Sequence, residues 1–196
     1  MIELPEWAVP NAATPALVDA GGVMRSPLNT AALRVNRLGS HYLAALAFPP
    51  FEPEQGRIVV SRLIRAQRLG LRVPYPLFVD QGQPGAPLVD GAGQSGLSLT
   101  LRGLSPGYTA REGYWLSIVD PTGQHYLHNV AGDAVADADG RMILSLSEML
   151  RVPFENGAAV HLAAPMIEGL VDGDKRAWNL AVNRTTSIEF TVEETR

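Results

Sequence analysis

The chain has 196 residues, a formal net charge of −4 and no cysteine. The absence of cysteine excludes disulfide scaffolds, thiolate catalysis and cysteine-based zinc sites. A chain of this length can bury a core of its own, as one domain or two small ones fused closely. Its acidic balance, without a basic cluster, argues against direct nucleic-acid binding. No stretch has the length and apolar character of a membrane span, and no basic segment followed by an apolar run opens the chain, so we expect synthesis in the cytoplasm and no membrane partner.

Charge is distributed unevenly along the chain. Residues 1–72 carry eight arginines against five acids, whereas residues 73–196 carry eight basic residues against fifteen acids. Such a split can place opposite charges on two faces of a subunit and favour head-to-tail contacts between copies. It is equally compatible with ordinary variation on a solvated surface.

The N-terminal third predicts extended structure. We interpret residues 1–30 as an extended arm, with Trp7 available to pack on a neighbour, followed by the first strand. Residues 16–25 and 31–37 have the character of short strands, and Gly21 and Gly22 supply a bend. Residues 41–48 are mostly apolar and end at two prolines, which predicts a buried strand.

One amphipathic helix is predicted over residues 54–69. An apolar side is formed by five residues and a basic side by four, and these are Val59, Val60, Leu63, Ile64 and Ala66 against Arg57, Arg62, Arg65 and Arg68. Acids at the start and Gly70 at the end suit the helix dipole and a glycine stop. The arginine stripe could bind phosphate, but on a net acidic chain a solvated or subunit-contacting face is favoured.

A long surface loop is predicted over residues 80–96, where glycine and proline are dense. Before it, residues 71–79 are broken by Pro74 and Pro76, which allows only an edge strand or irregular backbone. Gly91, Gly93 and Gly96 satisfy the dinucleotide pattern GxGxxG, but a strand follows them where that motif requires a helix N-terminus. We therefore interpret the glycines as turn residues.

The remainder of the chain predicts short antiparallel strands separated by turns. The predicted strands cover residues 97–101, 114–119, 125–130, 141–146, 159–163, 178–182 and 187–192, and a single helical turn is predicted at 147–151. Turns recurring at this rate predict a mainly β fold, an antiparallel β-sandwich or barrel with one flanking helix. In domain terms, residues 31–106 form the sandwich with its helix and loop, and residues 107–196 form further strands of the same domain or a small C-terminal β lobe.

Motifs for catalysis and metal binding do not occur. His125 and His128 lie three apart in a predicted strand, which places them on opposite faces. Asp137, Asp139 and Gly140 match half of a calcium loop, but the glutamate that would complete it does not follow, so a turn is the better interpretation. Asp172 and Asp174 around Gly173 are likewise ordinary turn chemistry. We expect no catalytic, cofactor-binding or metal-binding residues, although paired carboxylates of a glycosidase would leave no local motif.

Several loop and strand patterns together resemble a known family. They are Gly82-Gln83-Pro84-Gly85, Val89-Asp90-Gly91-Ala92-Gly93-Gln94, Leu101-Arg102-Gly103-Leu104, Tyr126-Leu127-His128, Asp137-Ala138-Asp139-Gly140 and Ala164-Pro165-Met166-Ile167-Glu168-Gly169. From about Arg34 onward the chain resembles the distal tail or minor tail proteins of long-tailed (siphovirus-type) bacteriophages. These patterns have no catalytic content.

The resemblance implies a tail-tube-like β-sandwich with a flanking helix and a place in the virion, at the tail tip. It implies a homo-oligomeric ring, a hexamer, that joins the tail tube protein to the tail hub protein and surrounds a channel through which DNA passes without specific binding. Distal tail proteins often carry a second, galectin-like domain, for which this chain is too short if that domain is large.

Three functions of different classes follow from these observations. The first is a non-enzymatic ring subunit, whose interface candidates are Trp7, Arg57, Arg62, Arg65, Arg68, Arg72, Gln83, Pro84 and Gln94, with the 81–96 loop as an arm between subunits. The alternative is a carbohydrate-binding module or glycan hydrolase of the tail tip that uses Trp115, Trp178 and nearby acids on a sandwich face, and an exposed coplanar aromatic pair would favour it. A ligand-binding β-barrel with a closed apolar cavity is a third.

Overall fold

The computed structural model describes residues 1–25, 32–173, 177–181 and 184–195. These residues form a mainly β fold with antiparallel sheets and one flanking helix, so the predicted fold class is confirmed. The elements are β1 (Ile2–Glu3), β2 (Ala12–Val18), β3 (Gly22–Met24), β4 (Leu33–Val35), β5 (His41–Ala47), α1 (Pro53–Leu69), β6 (Leu71–Pro74), β7 (Gly85–Val89), β8 (Gln94–Leu104), β9 (Thr109–Ala110), β10 (Trp115–Val119), β11 (His125–Asn129), β12 (Ala134–Val135), β13 (Met142–Phe154), β14 (Val160–His161), β15 (Met166–Val171), β16 (Trp178–Leu180) and β17 (Thr186–Glu194).

The largest sheet has strand order β1-β6-β15-β17-β5-β2, and β16 also pairs with β17. Its strands come from both ends of the chain, since β15 and β17 lie between β6 and β5. The prediction that residues 71–79 can form only an edge strand is wrong for β6, because β1 pairs with its outer side in parallel. Residue 74 ends β6, as expected of a proline that cannot continue a ladder.

Helix α1 packs over this sheet, against β1, β6, β15 and β17. The predicted helix is confirmed, with a proline in its first turn and Gly70 (φ 74°) after its last residue. Gly56, Val59, Leu63 and Ala66 are buried, but Ile64 is 51% exposed. The prediction that Ile64 belongs to the buried side is wrong, because the sheet covers only a narrow stripe of the helix. Among the described residues no helix has the length and apolar character that crossing a membrane would need.

A second core is built entirely from residues 85–162. Three small sheets surround it, with strand orders β13-β8-β7, β11-β10-β14 and β12-β9. Its centre consists of fully buried side chains such as Leu99, Leu101, Leu116, Leu144 and Phe154. Side chains fill this core, as in small closed β structures generally.

Strand β13 of the second core is longer than predicted. The single helical turn expected at 147–151 is wrong, because β13 continues from Met142 to Phe154. Register shifts between Ser145 and Leu150, and again before Phe154, let the strand bend without leaving its partner β8.

The predicted loop at 80–96 is wrong over much of its length. Residues 85–89 form β7 and residues 94–96 begin β8, and these strands pair as a hairpin. Proline is tolerated at position 87 because β7 is the edge strand of its sheet. Gly91 (φ 106°) and Gly93 (φ 70°) form the turn between the strands, in a backbone conformation that favours glycine.

Residues on the two sides of position 107 share one sheet, because β8 pairs with β13. Strands β15 and β17 instead return to the large sheet. The core of residues 85–162 is thus an insertion between β6 and β15.

Candidate interaction surfaces

An open groove lies between α1 and the β16–β17 hairpin. It encloses about 780 Å³ and is lined by Val60 and Ile64 from the helix and by Trp178 and Leu180 from β16. Trp178 is 42% exposed and Leu180 71% exposed, so this apolar floor faces solvent. A contiguous patch of exposed apolar side chains is typical of an interaction surface.

The rim of the groove is basic. Arg57, Arg65 and Arg184 line it, and all three are exposed. Arg57 pairs with Glu54 one turn earlier in the helix, with Nη2 and Oε2 2.7 Å apart. Exposed pairs of this kind contribute little to stability, so the guanidinium remains available to an acidic neighbour.

A second exposed feature is the β3–β4 hairpin, which we call the arm. The ladder of β2 and β5 runs from Ala12 opposite Ala47 to Val18 opposite His41. The chain then continues the same hairpin into β3 and β4, which pair only with each other among the described strands. An ion pair between Arg34 and Asp19, with Nη2 and Oδ2 2.6 Å apart, connects the base of the arm.

The arm carries apolar side chains that are exposed in the described part of the chain. Val23 is 56% exposed, Met24 64% and Leu33 62%. A two-stranded hairpin by itself is marginally stable in water. These exposed residues make the arm a candidate interaction surface.

Three of the predicted interface residues are buried or form hydrogen bonds within the chain. Arg72 donates through Nε to Glu168 (2.5 Å) and through Nη1 to Glu3 (3.2 Å), which makes it part of an internal network. Gln94 turns inward, donating to the carbonyl of Asp90 and accepting from the amide of Thr100. Pro84 is buried.

The other predicted residues are at the surface to differing degrees. Gln83, Arg65 and Arg68 are exposed. Arg62 donates to the carbonyl of Glu3 at 2.6 Å, which fixes it against the N-terminal segment. Trp7 is 43% exposed and packs edge-on against Phe51 of its own chain, with ring centroids 5.8 Å apart.

The start of the predicted intersubunit loop is anchored to the second core. Gln81 is 3% exposed, and its side-chain amide donates to the carbonyls of Trp115 and Leu162. Its side-chain oxygen accepts from the amide of Trp115 at 2.7 Å. These bonds bring the two ends of the inserted segment together. They also hold the start of residues 81–96 against the second core, so this end does not extend freely toward another subunit.

Ionisable groups form a buried network where the two cores meet. The hydroxyl of Tyr42 donates to Glu148 at 2.5 Å, and the other carboxylate oxygen of Glu148 lies 2.8 Å from Nδ1 of His128. Nearby, Arg151 donates to Glu194 at 2.5 Å. Glu194 also accepts from the backbone amides of Tyr42 and Leu127.

Burial shifts the pKa of two groups in this network. Burial raises the pKa of Glu194, against the opposing effect of Arg151 and the two amides. Burial and the charge of Glu148 together raise the pKa of Tyr42. Tyr42, His128, Glu148 and Glu194 are each 7% exposed or less, and the Arg151 side chain is 4% exposed, so the network lies in the interior between the two cores. This placement suits a structural network that holds both cores in register.

The histidines behave as the strand alternation predicts. His125 shares a face of β11 with Leu127, which belongs to the core under α1, whereas His128 is on the face that meets Glu148. Burial and the nearby charge of Arg72 lower the pKa of His125 to about 4. Within the described ranges, no three His, Cys, Asp or Glu side chains are grouped as metal ligands would be.

The aromatic pair required by the carbohydrate-binding alternative is absent from the described surface. Trp115 is packed between Tyr42 and Tyr75, with ring centroids 4.9 Å and 4.6 Å away. Trp178 lies in the groove beside α1 instead. The two tryptophans therefore do not form one exposed face.

Sequence reasoning missed Glu148 and the groove. Alternation of buried residues continues from Met142 through Leu144, Leu146, Glu148 and Leu150, so its period of two was the signal that 147–151 is a strand. The groove had no comparable signal, because it depends on β16 lying beside α1. Comparison with known proteins adds no family: no protein-family model matches the chain, and no curated sequence is significantly similar to it.

Proposed function

We propose that this chain is a structural, non-enzymatic subunit of a bacteriophage tail tip, a distal-tail-type protein of the virion that assembles into a ring. The ring joins the tail tube protein to the hub protein and surrounds the path of the DNA. The proposal rests on the resemblance of the loop and strand patterns to that family, and on one observation of the fold.

That observation is the arm. Val23, Met24 and Leu33 are each more than half exposed on a hairpin that pairs with no other described strand. Such a surface is costly for a solitary soluble protein, since exposed apolar patches promote association. A subunit that covers its arm against a neighbour resolves that cost, and repeated head-to-tail contacts of this kind close into a ring when the rotation permits.

Oligomeric mass provides the test. We expect light scattering after size-exclusion chromatography to detect a species of about six times the chain mass of 21.0 kDa, and negative-stain images to contain rings. A monomer at every concentration, alone and when mixed with tube and hub subunits, would contradict the proposal.

A matched pair of variants tests the arm itself. Met24→Ser combined with Leu33→Ser removes apolar surface from the arm and should abolish rings while leaving the circular dichroism spectrum unchanged. Ile143→Ser is the control, because Ile143 is similarly exposed (66%) on the second core. Equal loss of rings in both variants would indicate that the arm has no special role.

A further inference from the structure

The groove between α1 and β16 combines two properties that select a partner. Its floor, formed by Ile64, Trp178 and Leu180, is apolar and exposed, and its rim carries Arg57, Arg65 and Arg184. Glu54 pairs with Arg57 at the rim, but among the described residues that line the groove there is no acidic side chain. The groove fits a segment with an exposed apolar residue flanked by carboxylates.

The same chain presents such a segment at residues 133–139, which we call the acidic loop. Val135 is 62% exposed, and Asp133, Asp137 and Asp139 around it are all exposed. The inserted core as a whole is acidic, since residues 85–162 carry eight acids and four arginines. The acidic loop is therefore complementary to the groove in both polarity and charge.

Groove and acidic loop are built on different sheets. Strand β12, which contains Val135, pairs with β9 and packs against β13 of the second core. The groove belongs to α1 and to the β16–β17 hairpin of the large sheet. A contact between two different patches on identical chains is heterologous, and this is the class of contact that produces rings.

We propose that the groove of one copy receives the acidic loop of a second copy. Val135 packs on Trp178 and Leu180, and the loop carboxylates lie beside the rim arginines. This inference rests on the proposed function and names a second pair of surfaces, besides the arm, that joins neighbouring subunits. A second copy is the occupant because each chain carries both a groove and an acidic loop, so the complementary charges are present in equal number.

Reversing one charge in the groove and one in the acidic loop is the direct test. Arg65→Glu in the groove and Asp139→Arg in the acidic loop should each raise the concentration at which half the protein is assembled by about tenfold, since like charges then face each other. The double variant should recover most of that loss. Arg68→Glu is the control, because Arg68 is exposed on the same helix but does not line the groove.

The measurement is sedimentation velocity over a concentration series at low and high salt, with thermal melting to verify folding. Assembly of the wild-type chain should weaken as salt rises, because the pairs are at the surface. Rings of unchanged strength in both single variants would overturn the inference while leaving the proposed function intact. Variants that form normal rings but no longer bind the tube or hub protein would also overturn it, and a strictly monomeric wild type would remove both proposals.

Discussion

Compared with the core of residues 85–162, the core under α1 is assembled from segments that lie far apart in the chain. Strands β5 and β6 come before the insertion, whereas β15 and β17 come after it. The two regions also differ in exposed large apolar residues: among the described residues, Leu97, Val135 and Ile143 lie within residues 85–162, and the other such residues lie outside that range. The insertion buries its own core, whereas the rest of the chain leaves more large apolar side chains exposed.

The first prediction concerns the junction that joins the two regions. Glu194→Ala should lower the free energy of unfolding by about 3–5 kcal/mol, because it leaves Arg151 as an uncompensated buried charge and removes the acceptor of two backbone amides. Urea denaturation measures this loss. Glu193→Ala is the control: Glu193 is half exposed and pairs with His41, so its removal should cost less than about 1 kcal/mol. Equal costs would show that the two regions do not depend on the buried pair.

The second prediction concerns close approach of strands in the large sheet. A Cβ atom at Gly169 would lie 1.8 Å from the carbonyl oxygen of Glu193, so Gly169→Ala must separate β15 from β17. We expect a loss of about 2–3 kcal/mol in the free energy of unfolding. At Gly132 a Cβ would meet nothing within 4 Å, so Gly132→Ala should change stability by less than about 1 kcal/mol. A small effect at Gly169 would contradict the pairing of these strands.

The third prediction is a dependence on pH at the junction. The pKa of His125 is lowered to about 4 in the folded protein, from an ordinary value of 6.5, by burial, Arg72 and His161, with Asp120 opposing them. Between those pH values the unfolded chain binds a proton at His125 that the folded chain does not. The contribution of His125 to the free energy of unfolding is therefore fully present above about pH 6.5 and falls as the pH decreases toward 4.

At pH 5 we expect His125 to account for a loss of about 1–2 kcal/mol relative to pH 7. Urea denaturation at the two pH values measures it. His125→Gln should reduce this dependence. The neighbouring His161 is stacked on His125 at 5.1 Å, and burial lowers its pKa also, so it contributes in the same direction. A pH dependence unchanged in His125→Gln would assign the effect elsewhere.

The smallest expected effect is at the surface of α1. Arg57→Ala breaks the exposed pair with Glu54 and should cost less than about 0.5 kcal/mol by thermal or urea denaturation. If this variant instead destabilised the fold by 2 kcal/mol or more, the groove rim would have a structural role within the chain rather than an exposed one.

Local patterns determined the individual elements well. Alternation in β5, the apolar stripe and glycine stop of α1, and the turn at Asp137 to Gly140 all depend on neighbouring residues, so the sequence alone predicts them. In that turn the carboxylate of Asp137 accepts from the amides of Asp139 and Arg141, which is the short-range bonding that makes such sequences turns. Where two local signals compete, as at β7, prolines and glycines suggested a loop although a paired edge strand was the outcome.

The sequence by itself determined a mainly β chain with one amphipathic helix, because strand alternation and helical periodicity are properties of adjacent residues. Only the tertiary structure decided which strands are neighbours, that residues 85–162 form an inserted core, and that Glu148 and Glu194 are buried. It also decided that Arg72 is used internally and that Trp178 lies beside Ile64. These outcomes depend on contacts between residues distant in the chain, whose energies no local pattern records.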